Sequence, residues 1–296
     1  MGALSLASVL GLMLVGGAGF AMVESSRYDS STEKVYDIPP GKLVRSTDPA
    51  VIARGKHLTQ SLAGCAISAC HGADMSGGHV SSAGPIGTEI VPNASQILIA
   101  YTDGEIERLI RHGVKKDGRT VRFMIADEFN WLPDSDVVAI ISYLRTVPPV
   151  DRTTGTTEIK TFGKVMDRMG YIPIDIARRI DHDHVEIGPE ASATAEYGKW
   201  IARMCTGCHG AHMSGGPLPG TPPDFGVPRN LTPDPSGLAG WTYEDFVKMA
   251  ETGQRRDGRP LAKFMPVEFI RNMDETERRA IWAYLQSLPP VPFGNH

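Results

Sequence analysis

The run Cys205-Thr206-Gly207-Cys208-His209-Gly210-Ala211-His212-Met213-Ser214-Gly215-Gly216 sets two cysteines three positions apart and fuses a histidine to the second. Few chemistries need that arrangement. Two thiols at this spacing can add across the two vinyl groups of a haem, and the adjacent histidine then lies under the iron as its proximal ligand. A structural zinc site wants four ligands, usually two such pairs brought together. A thioredoxin-like pair needs a βαβ surround, which the sequence does not offer. Working outward, Cys65-Ala66-Ile67-Ser68-Ala69-Cys70-His71 repeats the idea with two extra residues between the cysteines.

The repeat extends well beyond the cysteines. Cys70 to Gly78 matches Cys208 to Gly216, and Lys116-Asp117-Gly118-Arg119 matches Arg256-Asp257-Gly258-Arg259. Phe123-Met124 matches Phe264-Met265, and Tyr143 to Val150 matches Tyr284 to Val291. The offsets are 138, 140, 141 and 141, so the copies stay in step. A period this long predicts a duplicated domain of roughly 100 residues rather than a solenoid.

Helix signals fall at matching places. Asp48-Pro49 predicts a cap and first turn, with a helix to about Ala63. Thr102 with Glu105 forms a capping-box pattern ending near His112-Gly113. A third helix is expected between Pro133-Asp134 and Pro148. In the second copy Thr194 precedes a helix through Met204, Thr242 one to about Glu251, and Asp274 with Glu277 one ending before Pro289. Sustained period-two alternation is lacking. The expected fold class is all-α with long Gly- and Pro-rich loops.

Over about 50–150 and 190–292 these residues resemble class I cytochrome c domains in tandem. In that family an amino-terminal helix crosses a carboxy-terminal one; Gly55 and Gly198 match its close-approach glycine, and Tyr143 and Tyr284 its carboxy-terminal aromatic. The resemblance implies two covalently bound haem c groups. Their attachment sites would be Cys65 with Cys70 and Cys205 with Cys208, with His71 and His209 as proximal ligands. Both cysteines of the wider first motif are read as forming thioethers, the alternative being a single bond through Cys70. The family's distal methionine precedes the last helix, which points to Met124 and Met265. Met265 sits in the family's usual Phe-Met-Pro setting, whereas Met124 is followed by Ile125. Methionine there raises the potential and blocks substrates.

Met75 and Met213 follow their histidines too closely to cross the ring and are read as core. The unrepeated His79, His112, His57 and His212 are read as loop or helix-surface residues, His79 or His112 being the substitute ligand should Met124 not bind. A proximal imidazole should donate its second N–H to a backbone carbonyl; Pro85, Pro217 and Pro219 are the candidates. Asn93 and Asn230 match each other and resemble a family asparagine near the distal loop. Asp181-His182-Asp183-His184 is read as a solvated turn rather than a metal site.

The expected organisation is 1–23 anchor or signal, 24–47 extended linker, 48–150 first domain, 151–192 interdomain linker and 193–296 second domain. Gly2 to Val23 carries no charge and is long enough for a transmembrane helix. Cleavage after Gly19-Phe20-Ala21, or a break at Gly16-Gly17, is the alternative. Either version exports the chain to the periplasmic side of a bacterial cytoplasmic membrane. With four cysteines assigned to haem, no disulfide is expected. A net charge of −4 and pI near 6.1 argue against nucleic-acid binding.

The resulting expectation is a non-enzymatic electron-transfer protein, closest in likeness to the cytochrome subunits of periplasmic alcohol or gluconate dehydrogenases. Its donor would be a dehydrogenase or quinol-linked complex and its acceptor an oxidase or soluble cytochrome. The alternative is a dihaem peroxidase or thiosulfate-oxidising enzyme with an open first site, where Glu128 would be the acid–base candidate.

Overall fold

The computed structural model describes residues 6–82, 84–218, 226–262 and 264–295, with side chains from Gly16 onward. In chain order the helices are α1 (Leu6–Glu33), α2 (Pro49–Gln60), α3 (Ala94–Ile97), α4 (Asp103–His112), α5 (Ala126–Phe129), α6 (Asp134–Leu144) and α7 (Thr161–Arg168). The second copy holds α8 (Ala195–Ile201), α9 (Thr206–His209), α10 (Tyr243–Thr252), α11 (Val267–Arg271) and α12 (Glu275–Ser287). Strands β1 (Val80–Ser82), β2 (Gly87–Ile90) and β3 (Glu158–Ile159) form an antiparallel sheet in that order.

The caps fall where the sequence puts them. Asp48 accepts from the Ala50 N–H, and capping boxes join Thr102 to Glu105, Thr242 to Asp245 and Asp274 to Glu277. Helices α4 and α10 both end on a left-handed glycine, Gly113 and Gly253. The expected helix from Thr194 to Met204 is α-helical only to Ile201 and tightens to 3₁₀ over Ala202–Cys205.

The sheet departs from the all-α expectation, making the protein mostly helical instead. Its strands are two to four residues long, too short for an alternation signal. Gly87 makes it possible: at φ +135, its added Cβ would stand 2.1 Å from the Glu158 carbonyl oxygen.

Contacts divide the chain into two compact units that are discontinuous in sequence. One is Met1–Val44, Ser68–Asn130 and Val147–Val185; the other is Arg45–Ile67, Trp131–Thr146 and Glu186–His296. Helices α2 and α6 of the first copy therefore belong with the second unit, so the units are not the sequence repeats.

In the first unit, most of the expected linker 151–192 is packed structure. The Asp167 carboxylate is fully buried, accepts from the Ile174 and Asp175 N–H groups and pairs with Arg178 at 2.9 Å. Helix α7 also packs on α1, where Lys164 reaches Asp29 at 2.7 Å and Tyr28 is buried. The segment expected to be extended from residue 24 is thus helical to Glu33, and Gly16-Gly17 does not interrupt α1. Among the described residues no helix is long and apolar enough to cross a membrane. Much of the expected span 2–23 lies outside the residues whose side chains are described.

In the second unit, two helix pairs cross at glycine. A Cβ on Gly55 would stand 1.8 Å from the Ala139 carbonyl oxygen of α6, and one on Gly198 1.9 Å from that of Ala280 in α12. Tyr143 and Tyr284 each place their Cβ 2.9 Å from the same imagined atom. The family-derived glycines hold these crossings. Gly55→Ala or Gly198→Ala should force each pair apart and cost about 1–3 kcal/mol or more of overpacking strain. Thermal unfolding of the haem-loaded variants checks this, and unchanged stability would contradict the close approach.

Candidate functional site: two histidines on backbone carbonyls

The second motif is gathered into about one helical turn. Cys205 ends the 3₁₀ segment, and Thr206 to His209 form α9. His209 is buried, and its Nδ1 lies 2.6 Å from the Arg229 carbonyl oxygen. In the first unit His71 Nδ1 lies 2.9 Å from the Pro92 carbonyl oxygen. A carbonyl only accepts, so Nδ1 carries the proton in both rings and Nε2 keeps a lone pair for a metal. Burial lowers the pKa of each imidazole, against the opposing pull of its carbonyl bond. The neutral, ligating form is thereby favoured.

The carbonyls are not those expected. Pro85 and Pro217 do not serve, and Pro219 lies outside the described residues. The useful sequence signal was the repeated asparagine, which immediately follows the acceptor in each copy. Asn93 Nδ2 donates to the Val150 and Arg152 carbonyls, and its Oδ1 accepts from Ser95 and Gln96. Asn230 Nδ2 donates to the Val291 carbonyl and Ser236, and its Oδ1 accepts from Thr232. Val150 and Val291 are themselves equivalent, at offset 141. Each asparagine clamps the carbonyl segment to the chain after the last helix of its copy. These residues therefore sit beside the carbonyl that each histidine bonds.

The Met-Ser-Gly-Gly runs complete this seat. The carbonyls of His71 and His209 accept from Gly77 and Gly215, each at 2.9 Å. A Cβ on Gly77 would meet the Pro92 oxygen at 2.3 Å, and one on Gly215 the Pro228 oxygen at 2.4 Å. Met75 and Met213 are buried as expected. Both are left-handed, at φ 58 and 57, a conformation that costs non-glycine residues energy unless neighbours impose it. Ser95 N–H and Leu231 N–H, donating to the two methionine carbonyls, supply part of that constraint.

Met124 and Met265 occupy matching loops. Ala126 donates to the Met124 carbonyl and Val267 to that of Met265, at 2.7 and 2.8 Å. Both side chains are half-buried, beside exposed Ile125 and Phe264 respectively. Upstream, Val121 donates to Gly113 and Leu261 to Gly253, and the Asp-Gly turns close the bridges Val114–Thr120 and Gln254–Pro260. The four cysteines form no disulfide.

The second motif fits a haem by its donor set: two thiols and a neutral imidazole with an orienting bond. The space around Gly207 agrees, since an added Cβ there meets nothing within 4 Å. Phe264, half exposed beside Met265, is apolar surface that a large apolar cofactor could cover. Burial and the neighbouring Cys205 sulfur raise the Tyr284 pKa, which puts the α12 tyrosine close to this motif.

Two of the four unrepeated histidines have specific partners that no sequence pattern signalled. His57 Nε2 lies 2.9 Å from Glu277 Oε1 in the second unit, and Arg54 reaches the same oxygen at 3.1 Å and Asp136 at 3.0 Å. His57, Asp274 and Glu277 could converge on a metal ion, but the Arg54 guanidinium already neutralises that carboxylate. His112 packs on His182, so neither histidine is a simple surface residue. His79 and His212 are exposed, as expected.

The Glu277 hydrogen bond raises the His57 pKa above 6.5, outweighing burial; Asp274 helps and Arg54 opposes. That stabilisation is fully present below about pH 6.5 and is lost as pH rises through the raised value. Unfolding free energy should therefore decline across that window, and His57→Gln should flatten the decline. An unchanged profile in the variant would rule this pairing out as its source.

Residues 195–289 match the family described as cytochrome c. Over 269 residues the chain is 27% identical to the fructose dehydrogenase cytochrome subunit of Gluconobacter japonicus, covering 80% of this chain and 52% of that one. It is 26% identical over 276 residues to the alcohol dehydrogenase (quinone) cytochrome c subunit of Gluconacetobacter polyoxogenes, covering 83% and 57%. Over 111 residues it is 29% identical to the gluconate 2-dehydrogenase cytochrome c subunit of Pantoea cypripedii, covering 35% and 25%. The chain thus spans about half the length, or less, of these relatives.

Proposed function

We propose that the chain is a dihaem electron carrier serving a periplasmic dehydrogenase, a reading that the match of residues 195–289 to the cytochrome c family supports. The observation that carries this reading is the pair of histidines, each following a cysteine and each bonded through Nδ1 to a backbone carbonyl. When bound, a haem supplies a one-electron ferric–ferrous couple at each motif.

Each motif residue has its own part in this scheme. Cys205 and Cys208 would hold the second haem covalently, and Cys65 and Cys70 the first. His209 and His71 would ligate through Nε2, while their carbonyl bonds fix ring orientation and raise basicity. Met265 and Met124 would be the methionine ligands, which would favour the reduced state and keep small molecules out. The His209 seat is buried, which shields that side of the second motif from water. This reading assigns no residue an acid or base role.

The relatives named above as dehydrogenase cytochrome subunits support a dehydrogenase as donor; an oxidase or soluble cytochrome is the acceptor class that follows. Thioether haem attachment would put the domains on the periplasmic side, with the uncharged segment 2–23 leading export. Its retention as an anchor would tether the chain there, with the docked half of α1 (from Glu24) joining the tether to the first unit.

Spectroscopic redox titration tests the ligand set. Wild-type protein should contain two low-spin haems with methionine–iron charge-transfer bands. Met124→Ala and Met265→Ala should each abolish one band and lower one potential. A first haem that is high-spin in the wild type and indifferent to Met124→Ala would indicate an open site. Peroxidase turnover abolished by Glu128→Gln would then replace electron transfer as the better reading.

A further inference from the structure

The part of α1 that docks on the first unit is packed the wrong way round for water. Its buried face is polar: Glu24, Tyr28 and Thr32 are buried, with Ser25 and Ser31 half-buried between them. On the outside stand Phe20, Met22 and Val23, exposed at 50, 71 and 51%. A helix docked in water ordinarily turns its apolar stripe to the core. Before Phe20 the helix has left the unit. Gly16, Gly17 and Gly19 point to different sides of it, and a Cβ on any of them would meet nothing within 4 Å. That stretch belongs to the uncharged run 2–23.

Helix α7 brings more apolar surface to the same end. It runs antiparallel to α1, since Lys164 pairs with Asp29 at 2.7 Å and Arg168 with Glu24 at 3.5 Å. Its last turn therefore reaches the level of α1 at which the exposed apolar side chains begin. There the chain reverses on Gly170, left-handed at φ +82, and the Tyr171 N–H donates to the Met166 carbonyl. Met169 and Tyr171, on either side of that glycine, are both more than half exposed. Apolar side chains exposed singly are ordinary. Their gathering from two segments, where an uncharged helix leaves the unit, marks a contact surface.

Behind this rim lie cations. Arg27 and Arg168 share the one Glu24 carboxylate, at 2.7 and 3.5 Å, and the Arg27 side chain is 62% exposed. Two guanidiniums on one carboxylate leave net positive charge, facing water on the Arg27 side. From Phe20 to Arg27 the helix rises about 10 Å, comparable with the roughly 5–8 Å of one headgroup layer. The order along the axis is uncharged helix, then an aromatic and methionine rim, then arginine. That is the order a chain needs when it passes from acyl chains through headgroups into water. A protein partner imposes no such gradient along one axis.

We propose that the end of α7 (Met169, Tyr171) and the adjoining turn of α1 (Phe20, Met22, Val23) form one docking surface for a phospholipid bilayer, with Arg27 meeting anionic headgroups. The first unit would then rest on the bilayer through two segments rather than hang from a single tether. The proposal rests on the reading that segment 2–23 is retained. It concerns the bilayer surface and uses neither haem motif.

The test reconstitutes haem-loaded full-length protein into vesicles of phosphatidylethanolamine and phosphatidylglycerol. The vesicles also carry a phospholipid with a photoreactive diazirine high on its acyl chain. After illumination, lipid adducts are mapped by peptide mass spectrometry. Adducts should appear at Phe20–Val23 and at Met169–Tyr171, and not at Phe162, which is exposed at the opposite end of α7. A Met169→Asp, Tyr171→Asp double variant should lose the second set and keep the first. Adducts on α1 alone would overturn the docking surface and leave the anchor reading standing. Adducts at neither place, with residues 2–21 missing from the intact mass, would overturn both. Crosslinks from Met169–Tyr171 to a second chain in place of lipid would assign the surface to a protein contact and overturn the proposal.

Discussion

A histidine can serve a buried metal only if something decides which of its nitrogens carries the proton. Here a backbone carbonyl decides it in both copies, Pro92 for His71 and Arg229 for His209. Much of the surrounding sequence maintains that one hydrogen bond. The asparagine after each acceptor anchors the carbonyl segment to the end of its copy. The glycines after each histidine let the two backbones approach within a distance that a methyl group would forbid. Even the left-handed methionines, costly in isolation, belong to this seat.

The helix crossings have a parallel logic. Gly55 and Gly198 let helices touch backbone to backbone, and both crossings lie in one compact unit. Equivalent positions of the two crossings carry different chemistry. Asp136 and Glu277 match at offset 141 and are both buried carboxylates. Arg54 and His57, by contrast, correspond to Tyr197 and Trp200 at offset 143. One copy thus supplies cations to both carboxylates while the other supplies aromatic packing. Burying charge without such pairing would be strongly destabilising, so the asymmetry is part of how this unit holds together.

Features encoded locally could be read from the chain. Caps, proline stops and close-approach glycines each act within a few residues or at one crossing, and Asp48, Thr102, Thr242 and Asp274 all cap as their neighbours suggest. Features made by long-range pairing could not. The β2–β3 contact joins residues some 70 apart through strands too short to alternate. The His57–Glu277 pair spans 220 positions, and the carbonyl acceptors are backbone atoms that carry no residue signature. The asparagines were visible as a repeat, but only their hydrogen bonds reveal what they do. Compact units that recombine pieces of both copies are likewise outside what a linear repeat can convey.

The central claim is that both motifs carry covalent haem, the wider first one included. Intact-mass analysis of the denatured, iodoacetamide-treated holoprotein tests it most directly. The account predicts two haem additions and no alkylated thiol, with Cys65, Cys70, Cys205 and Cys208 all consumed. A single haem addition, or two additions with Cys65 alkylated, would contradict it: the first result removes the dihaem carrier, and the second removes the double attachment at the first motif.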